Sequence, residues 1–199
     1  MGIIPPVTRH IVFDTETSGL FDFKRPAEAE GQPRLASAAF LFLDSSFNIE
    51  REYHCFVKPD GWHMPEAASR VNGITQEMLR TNGVPLTNVL NAWNALLDQG
   101  CIFVAHNVDF DLKVMRGELR RRGLPDRFDE TYSFCTMKAS TPICKIPGPR
   151  GNKWPKLQEA YSFFFNEQFE NAHEALADAR ACAAVFKRLN ELGHYREAA

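Results

Sequence analysis

The chain is organised around the sequence IVFDTETSG at residues 11–19, where an apolar run leads directly into two carboxylates, Asp14 and Glu16, before a glycine turn. Side chains alternate between the two faces of a β-strand, so both carboxylates are expected on the same face. Adjacent anions raise each other's pKa unless a cation lies between them. The stretch alone leaves two interpretations open: a pair of metal ligands at the end of a buried strand, or acidic residues in solvent at a turn.

The rest of the chain predicts an α/β domain. Short apolar runs predict strands at 8–13, 35–43, 48–57, 101–105 and 131–134. Helical spacing of apolar residues predicts helices at 65–71, 75–81, 87–99, 108–122, 156–164 and 172–192. An antiparallel meander followed by alternating helices and strands indicates a mixed sheet flanked by helices. At this length, we expect residues 1–199 to form a single domain with its core at about 8–192.

Two features near the end of the chain carry local predictions. Residues 140–155 are rich in proline, glycine and basic side chains, which predicts a long loop that is either functional or mobile. Asn171 and Glu174 stand at the spacing of a capping box, which predicts the beginning of the last helix.

Composition limits the function classes. The formal net charge of −2 provides no overall basic field, so a nucleic-acid partner must be held by local basic patches or by metal ions. Five cysteines without C-x-x-C spacing argue against a disulfide framework or a zinc site and favour a reducing compartment. No apolar run approaches the roughly 18 residues of a membrane span, and the start lacks the pattern of a signal peptide. We therefore expect a cytoplasmic protein with no membrane partner.

A second acidic motif, HNVDFD at residues 106–111, follows the predicted strand at 101–105. Asn107 is a predicted N-cap, which places Asp111 about one turn into a helix. Ligand-binding side chains gather at the carboxyl ends of strands in α/β sheets. The alternative for Asp109 and Asp111 is a favourable interaction with the helix dipole. The alternative for His106 is a histidine whose hydrogen bonds are satisfied within the fold.

A third motif, HEALAD at residues 173–178, opens the last predicted helix. A buried aspartate needs a partner, so Asp178 in an alanine-rich helix that packs on a sheet is a candidate ligand. The alternative is a helical aspartate in solvent with His173 at the helix beginning.

Taken in this order, the three motifs resemble the histidine branch of the DEDD superfamily of 3′–5′ exonucleases, the branch of the RNase T-like enzymes. The tyrosine branch would require a tyrosine at position 174, where this sequence has Glu174. The resemblance extends from residue 10 to about residue 190. It implies an RNase H-like fold, with a mixed five-stranded sheet flanked by helices.

The resemblance also implies the site. Two divalent metal ions, Mg²⁺ or Mn²⁺, would lie among four acidic side chains, and a histidine would act as general base. Carboxylate oxygens suit these cations, and imidazole titrates near neutral pH. The implied metal ligands are Asp14, Glu16, Asp111 and Asp178, and the implied general base is His173.

Substrate contacts follow from the same resemblance. Thr17 and Leu20 are placed to hold the terminal nucleotide, His106 and Asn107 to face the cleft, and Phe110 to stack on a base. Leu20 has the alternative of an ordinary loop hydrophobe, and Phe110 that of a core residue.

The implied reaction releases nucleoside 5′-monophosphates from the 3′ ends of nucleic acid, with DNA favoured. The alternatives are an RNA-trimming exonuclease of the same family and a non-catalytic nucleic-acid-binding member. A DNA polymerase and a second copy of the chain are the candidate protein partners. Two basic sets are candidates for phosphate contacts, and the second is favoured: Arg116, Arg120, Arg121 and Arg122 on one helix, and Lys145, Arg150, Lys153 and Lys156 on the loop.

Overall fold

A computed structural model describes residues 10–172 and 174–195. Its main sheet has five strands: β1 (His10–Thr17), β2 (Leu35–Leu43), β3 (Ile49–Phe56), β4 (Ile102–Ala105) and β5 (Ser133–Cys135). The strand order is β3-β2-β1-β4-β5. The pairs β1–β2 and β2–β3 are antiparallel, whereas β1–β4 and β4–β5 are parallel. The predicted mixed five-stranded sheet is therefore confirmed.

Within residues 10–172 and 174–195, seven α-helices flank this sheet. They are α1 (Glu66–Asn72), α2 (Gln76–Asn82), α3 (Leu86–Asp98), α4 (Val108–Arg121), α5 (Thr136–Cys144), α6 (Leu157–Phe165) and α7 (Ala175–Glu191). A short 3-10 helix at Phe128–Glu130 leads into β5. None of the helices in the described part of the chain is long and apolar enough to cross a membrane.

Alternation along β1 determines which helices cover each face of the sheet. Phe13 belongs to the core that includes α3 and α4, where its ring lies 5.2 Å from Trp93 of α3, centroid to centroid. Val12 points to the opposite face and packs with Ala179 and Phe186 of α7. Continuing this alternation, Asp14 and Glu16 share the face of Val12, so they point towards α7.

Residues 140–155 differ from the predicted long loop. Residues up to Cys144 belong to α5, and a small hairpin follows, in which β6 (Pro147–Gly148) pairs with β7 (Gly151–Asn152). Pro142 lies inside α5, near its end, although proline usually breaks a helix. Burial of α5 residues against the rest of the domain, including Ser140 and Cys144, compensates for the proline, and no local pattern reveals that burial.

The predicted capping box at Asn171 is also wrong. Asn171 has a positive φ of 57°, and α7 begins only at Ala175. Glu174 takes the N-cap position in an extended conformation and makes no side-chain capping hydrogen bond. Asn107 does precede α4 as predicted, but its backbone is left-handed and its side chain makes no capping hydrogen bond either.

Candidate active site

The acidic side chains come from three elements that meet at one edge of the sheet. β1 and β4 are parallel, so their carboxyl ends lie at the same edge, and only two residues separate the end of β4 from the beginning of α4. Asp14 and Glu16 lie on β1, Asp111 in the first turn of α4, and Asp178 in the first turn of α7. Asp14, Glu16 and Asp178 each offer a carboxylate oxygen, and these oxygens lie within 4.8 Å of one another.

Burial and mutual repulsion disfavour the ionised form of these carboxyls. Burial, followed by the charges of Asp111, Asp178 and Glu16, raises the pKa of Asp14 well above its usual value. Burial, followed by the charge of Asp178, raises the pKa of Glu16 to about 8. A cation among these oxygens would reverse the effect, because opposite charge favours the carboxylate form. Clustered hard oxygen donors with raised pKa values fit a divalent metal ion.

Thr15 orients Asp111. The backbone N–H and the hydroxyl of Thr15 both donate to Oδ1 of Asp111, at 3.0 and 2.7 Å. Asp111 is buried, and burial is the main cause of its raised pKa, which the two Thr15 hydrogen bonds oppose. Thr15 lies between Asp14 and Glu16 but points to the opposite face, towards α4. Sequence reasoning missed this residue, since only the packing of α4 on β1 reveals its partner.

Asn72 is a second residue at this site that was not among the predicted site residues. Its amide group Nδ2 donates to the carbonyl oxygen of Thr17 at 3.2 Å, and its Oδ1 accepts from the N–H of Ile74 at 3.1 Å. A hydrogen bond from the same side chain favours the ionised form of Glu16 and so lowers its pKa. The buried amide thereby joins the α1–α2 junction to the end of β1.

The turn after β1 contains the residues expected to hold a nucleotide. Thr17 is buried, and its hydroxyl donates to the carbonyl oxygen of Gly19 at 2.6 Å, which closes the turn. Leu20 follows with 90% of its surface exposed. Phe110 is half-buried and packs on the core, with its ring 5.8 Å from that of Phe21.

His106 has a partner at each ring nitrogen. Its Nδ1 lies 2.9 Å from the hydroxyl of Thr136, and its Nε2 lies 2.9 Å from the carbonyl oxygen of Pro155. Burial lowers its pKa, which favours the neutral ring. In that form Nε2–H donates to Pro155 and the Thr136 hydroxyl donates to Nδ1. His106 thus connects the end of β4 to α5 and to the segment before α6.

His173, the expected general base, lies outside the described residues. Arginines in the second half of α4 and at its C-cap form ion pairs with acidic residues of the same domain. Arg116 and Arg120 both contact Asp126, and Arg121 contacts Glu118. Arg122 contacts Asp60 at 2.5 Å. Ion pairing leaves this helix face a weaker candidate for phosphate binding than the residues between α5 and α6.

A mixed α/β sheet with clustered acidic side chains at the carboxyl end of its central strand defines the class of RNase H-like nucleases. The exonuclease family model, RNase T, matches residues 11–186 of this sequence. The chain belongs to this family of DEDD 3′–5′ exonucleases, and it is a hydrolytic exonuclease. The acidic cluster can hold the divalent metal on which the family depends.

Individual relatives agree with this assignment. The chain is 30% identical over 184 residues to the DNA polymerase III subunit epsilon of Salmonella typhimurium, covering 90% of this chain and 70% of that protein. It is 27% identical over 187 residues to the 3′–5′ exonuclease DinG of Bacillus subtilis, covering 92% of this chain and 18% of that protein.

Solved structures show the same fold. Escherichia coli exonuclease I in complex with a dT13 oligonucleotide superposes with a TM-score of 0.73 at 21% identity, covering 94% of this chain. Exonuclease I from Methylocaldum szegediense gives a TM-score of 0.71 at 24% identity. This chain spans only 42% and 40% of those two chains, respectively.

Proposed function

We propose that this chain removes nucleotides from the 3′ end of single-stranded DNA and releases nucleoside 5′-monophosphates. The observation that carries the proposal is the convergence of Asp14, Glu16 and Asp178, with Asp111 coupled to them electrostatically. The relatives named DNA polymerase III subunit epsilon and the dT13 complex of exonuclease I support DNA as the polymer. The proposal takes residues 1–199 as a single exonuclease domain.

In this mechanism the four carboxylates would hold two Mg²⁺ or Mn²⁺ ions. Ions bound there supply Lewis-acid stabilisation of the charge that develops on the phosphate during displacement. Asp14 and Glu16 contribute from one strand face, Asp178 from α7, and Asp111 in the orientation that Thr15 imposes. Burial and mutual repulsion disfavour the charged form of Asp14 and Glu16, and a bound cation would stabilise their carboxylates.

The remaining chemistry needs a proton acceptor and a fixed terminal nucleotide. His173 would take the proton of the attacking water, whose oxygen bonds to phosphorus as the bond from phosphorus to the 3′ oxygen breaks. The products are a nucleoside 5′-monophosphate and a strand shortened by one nucleotide with a 3′ hydroxyl. Thr17 shapes the turn that holds the terminal nucleotide, and exposed Leu20 contacts its base. His106 and Asn107 face the cleft, and Phe110 supplies the ring on which a base stacks.

The test is a degradation assay on matched 5′-labelled single-stranded DNA, duplex DNA and RNA. We expect the wild type to shorten single-stranded DNA from its 3′ end and Asp14→Asn to be inactive. His173→Ala should still bind Mn²⁺ but lose at least about 100-fold in rate. Asp129→Asn, an exposed aspartate beyond the opposite edge of the sheet, is the matched control and should behave as wild type.

Each failure of this assay has a specific meaning. Faster degradation of RNA than of DNA would replace the DNA proposal by an RNA-trimming exonuclease. Absence of any degradation by the wild type, with nucleic acid still bound, would identify a non-catalytic member. A DNA polymerase subunit and a second copy of the chain are the protein partners to test by co-sedimentation.

A further inference from the structure

A small basic hairpin lies between α5 and α6, and we define it as residues 145–156. Its ladder consists of Pro147–Gly148 paired with Gly151–Asn152, and the N–H of Lys153 extends it by donating to the carbonyl oxygen of Ile146 at 2.9 Å. Pro149 and Arg150 form the tip. Gly151, with φ 106°, takes a backbone conformation that side chains disfavour, which fixes the sharp return of the chain.

The basic hairpin is strongly positive within an acidic chain. Its sequence, KIPGPRGNKWPK, has four basic residues and no acidic one, although the chain has a formal net charge of −2. Lys153 pairs with Glu159 of α6 at 2.5 Å. Lys145, Arg150 and Lys156 are exposed, and within 10–172 and 174–195 no carboxylate pairs with them. The arginines of α4, by contrast, contact carboxylates of the fold.

Trp154 adds an exposed aromatic surface to this charge. Its side chain is 63% exposed, and it stands between Lys153 and Pro155. An exposed indole ring on a segment with exposed cationic side chains is suited to bases and phosphates together, because bases stack on aromatic rings while phosphates contact the cations. An acidic protein segment would use the charges but would not need the flat ring.

A hydrogen bond places the base of the hairpin beside the acidic cluster. The carbonyl oxygen of Pro155, next to Trp154, accepts from Nε2 of His106 at 2.9 Å. His106 directly follows β4 and precedes by five residues Asp111, whose Oδ1 accepts from Thr15. The C-terminal end of the hairpin is therefore tied to the same sheet edge as the acidic side chains.

We propose that the basic hairpin binds the part of a single-stranded polynucleotide that lies upstream of the terminal nucleotide. Trp154 stacks on one of its bases, and Arg150, with Lys145 and Lys156, contacts its phosphates. This inference rests on the proposed function, and it adds a second contact area, which increases the affinity for long strands. Short substrates that end at the acidic cluster do not reach the hairpin.

The first experiment measures binding without hydrolysis. We measure the fluorescence anisotropy of a labelled oligo-dT of about 20 nucleotides, which is longer than the span of one basic aromatic groove. All variants carry Asp14→Asn, so that the oligonucleotide is bound but not hydrolysed. We expect Trp154→Ala to weaken binding at least about five-fold. Replacing Arg150 and Lys156 together by Gln should reduce the slope of log K against log salt by about 1.4. An oligo-U arm tests whether RNA is bound through the same surface.

Matched control variants lie at the opposite sheet edge. Tyr132 is 65% exposed and precedes β5, so Tyr132→Ala removes an equally exposed aromatic ring. Lys187→Gln removes a positive charge that contacts Asn48 in the β2–β3 turn. Both should bind oligo-dT as the Asp14→Asn parent does. Loss of affinity in the controls equal to that in the hairpin variants would overturn the proposal.

The second experiment separates this inference from the proposed function. In the background with Asp14 intact, Trp154→Ala should hydrolyse a dinucleotide at the wild-type rate. The concentration of the long strand that gives the half-maximal rate should be higher for Trp154→Ala than for the wild type. A wild type that hydrolyses neither the dinucleotide nor the long strand contradicts the proposed function, while the anisotropy result still decides the role of the hairpin. Unchanged binding and unchanged long-strand degradation in Trp154→Ala would overturn the hairpin proposal.

Discussion

Neutralising Glu16 should stabilise the metal-free protein above neutral pH. The folded environment raises the pKa of Glu16 from 4.5 to about 8, so the folded state binds the proton more tightly than the unfolded chain does. The free energy of unfolding therefore falls as the pH rises above about 4.5, and the loss is complete once the pH passes about 8. Glu16→Gln carries no charge, so it escapes this loss.

The size of the effect follows from the same pKa. One pKa unit corresponds to about 1.4 kcal/mol, so a rise from 4.5 to about 8 corresponds to about 5 kcal/mol as an upper value. Partial solvent exposure of Glu16 and relaxation of its neighbours reduce this, and we expect about 2–4 kcal/mol. For a chain of this length, that difference shifts the melting temperature by roughly 5–15 °C.

Urea unfolding in EDTA at about pH 5 and about pH 8.5 measures this difference. The wild type should lose about 2–4 kcal/mol more than Glu16→Gln between the two pH values, and Mn²⁺ should restore stability only in the wild type. Asp129→Asn controls for the loss of one negative charge. Equal pH dependence in the wild type and Glu16→Gln would refute the argument that burial and repulsion raise this pKa.

Three further outcomes are expected. Asp178→Asn should lose at least about 1,000-fold in degradation rate while remaining folded by circular dichroism, and substantial residual cleavage would exclude it as a metal ligand. Thr15→Val should lower the free energy of unfolding by about 1–3 kcal/mol and weaken Mn²⁺ binding, because it removes the hydroxyl that donates to Asp111. Thr15→Ser keeps the hydroxyl and should behave nearly as wild type. An equal loss of stability in the two variants would show that the hydroxyl is not the cause. Leu20→Ala should raise KM for single-stranded DNA several-fold with little change in kcat. Leu192 is a second exposed leucine, and Leu192→Ala should leave KM unchanged. An unchanged KM in Leu20→Ala would exclude Leu20 from the site.

Local sequence patterns were sufficient for the sheet. Apolar runs and their order predicted β1 to β5, and strand alternation placed Asp14 and Glu16 on one face, where the structure brings their oxygens together with that of Asp178. Such patterns do not predict how elements that are distant in the sequence pack against one another. Thr15 meets Asp111 across 96 positions of sequence, and nothing local to either residue indicates the contact.

Two local predictions failed. Pro142 signals a loop by its own chemistry, but burial of the rest of α5 outweighs the cost of one missing hydrogen bond. Asn171 has the side chain of a good N-cap, yet the path into α7 requires a left-handed backbone there, and the helix begins later. For α5, packing against α6 and α7 decides the conformation.

The central claim is that Asp14, Glu16, Asp111 and Asp178 form a two-metal site. Its most direct test is Mn²⁺ binding to the wild type and to Asp14→Asn, measured by electron paramagnetic resonance with a nucleoside 5′-monophosphate present. We expect two Mn²⁺ ions per wild-type chain and a clear loss of bound Mn²⁺ in a folded Asp14→Asn chain. A wild type that binds no Mn²⁺, or an Asp14→Asn chain that binds as much as the wild type, would contradict the account.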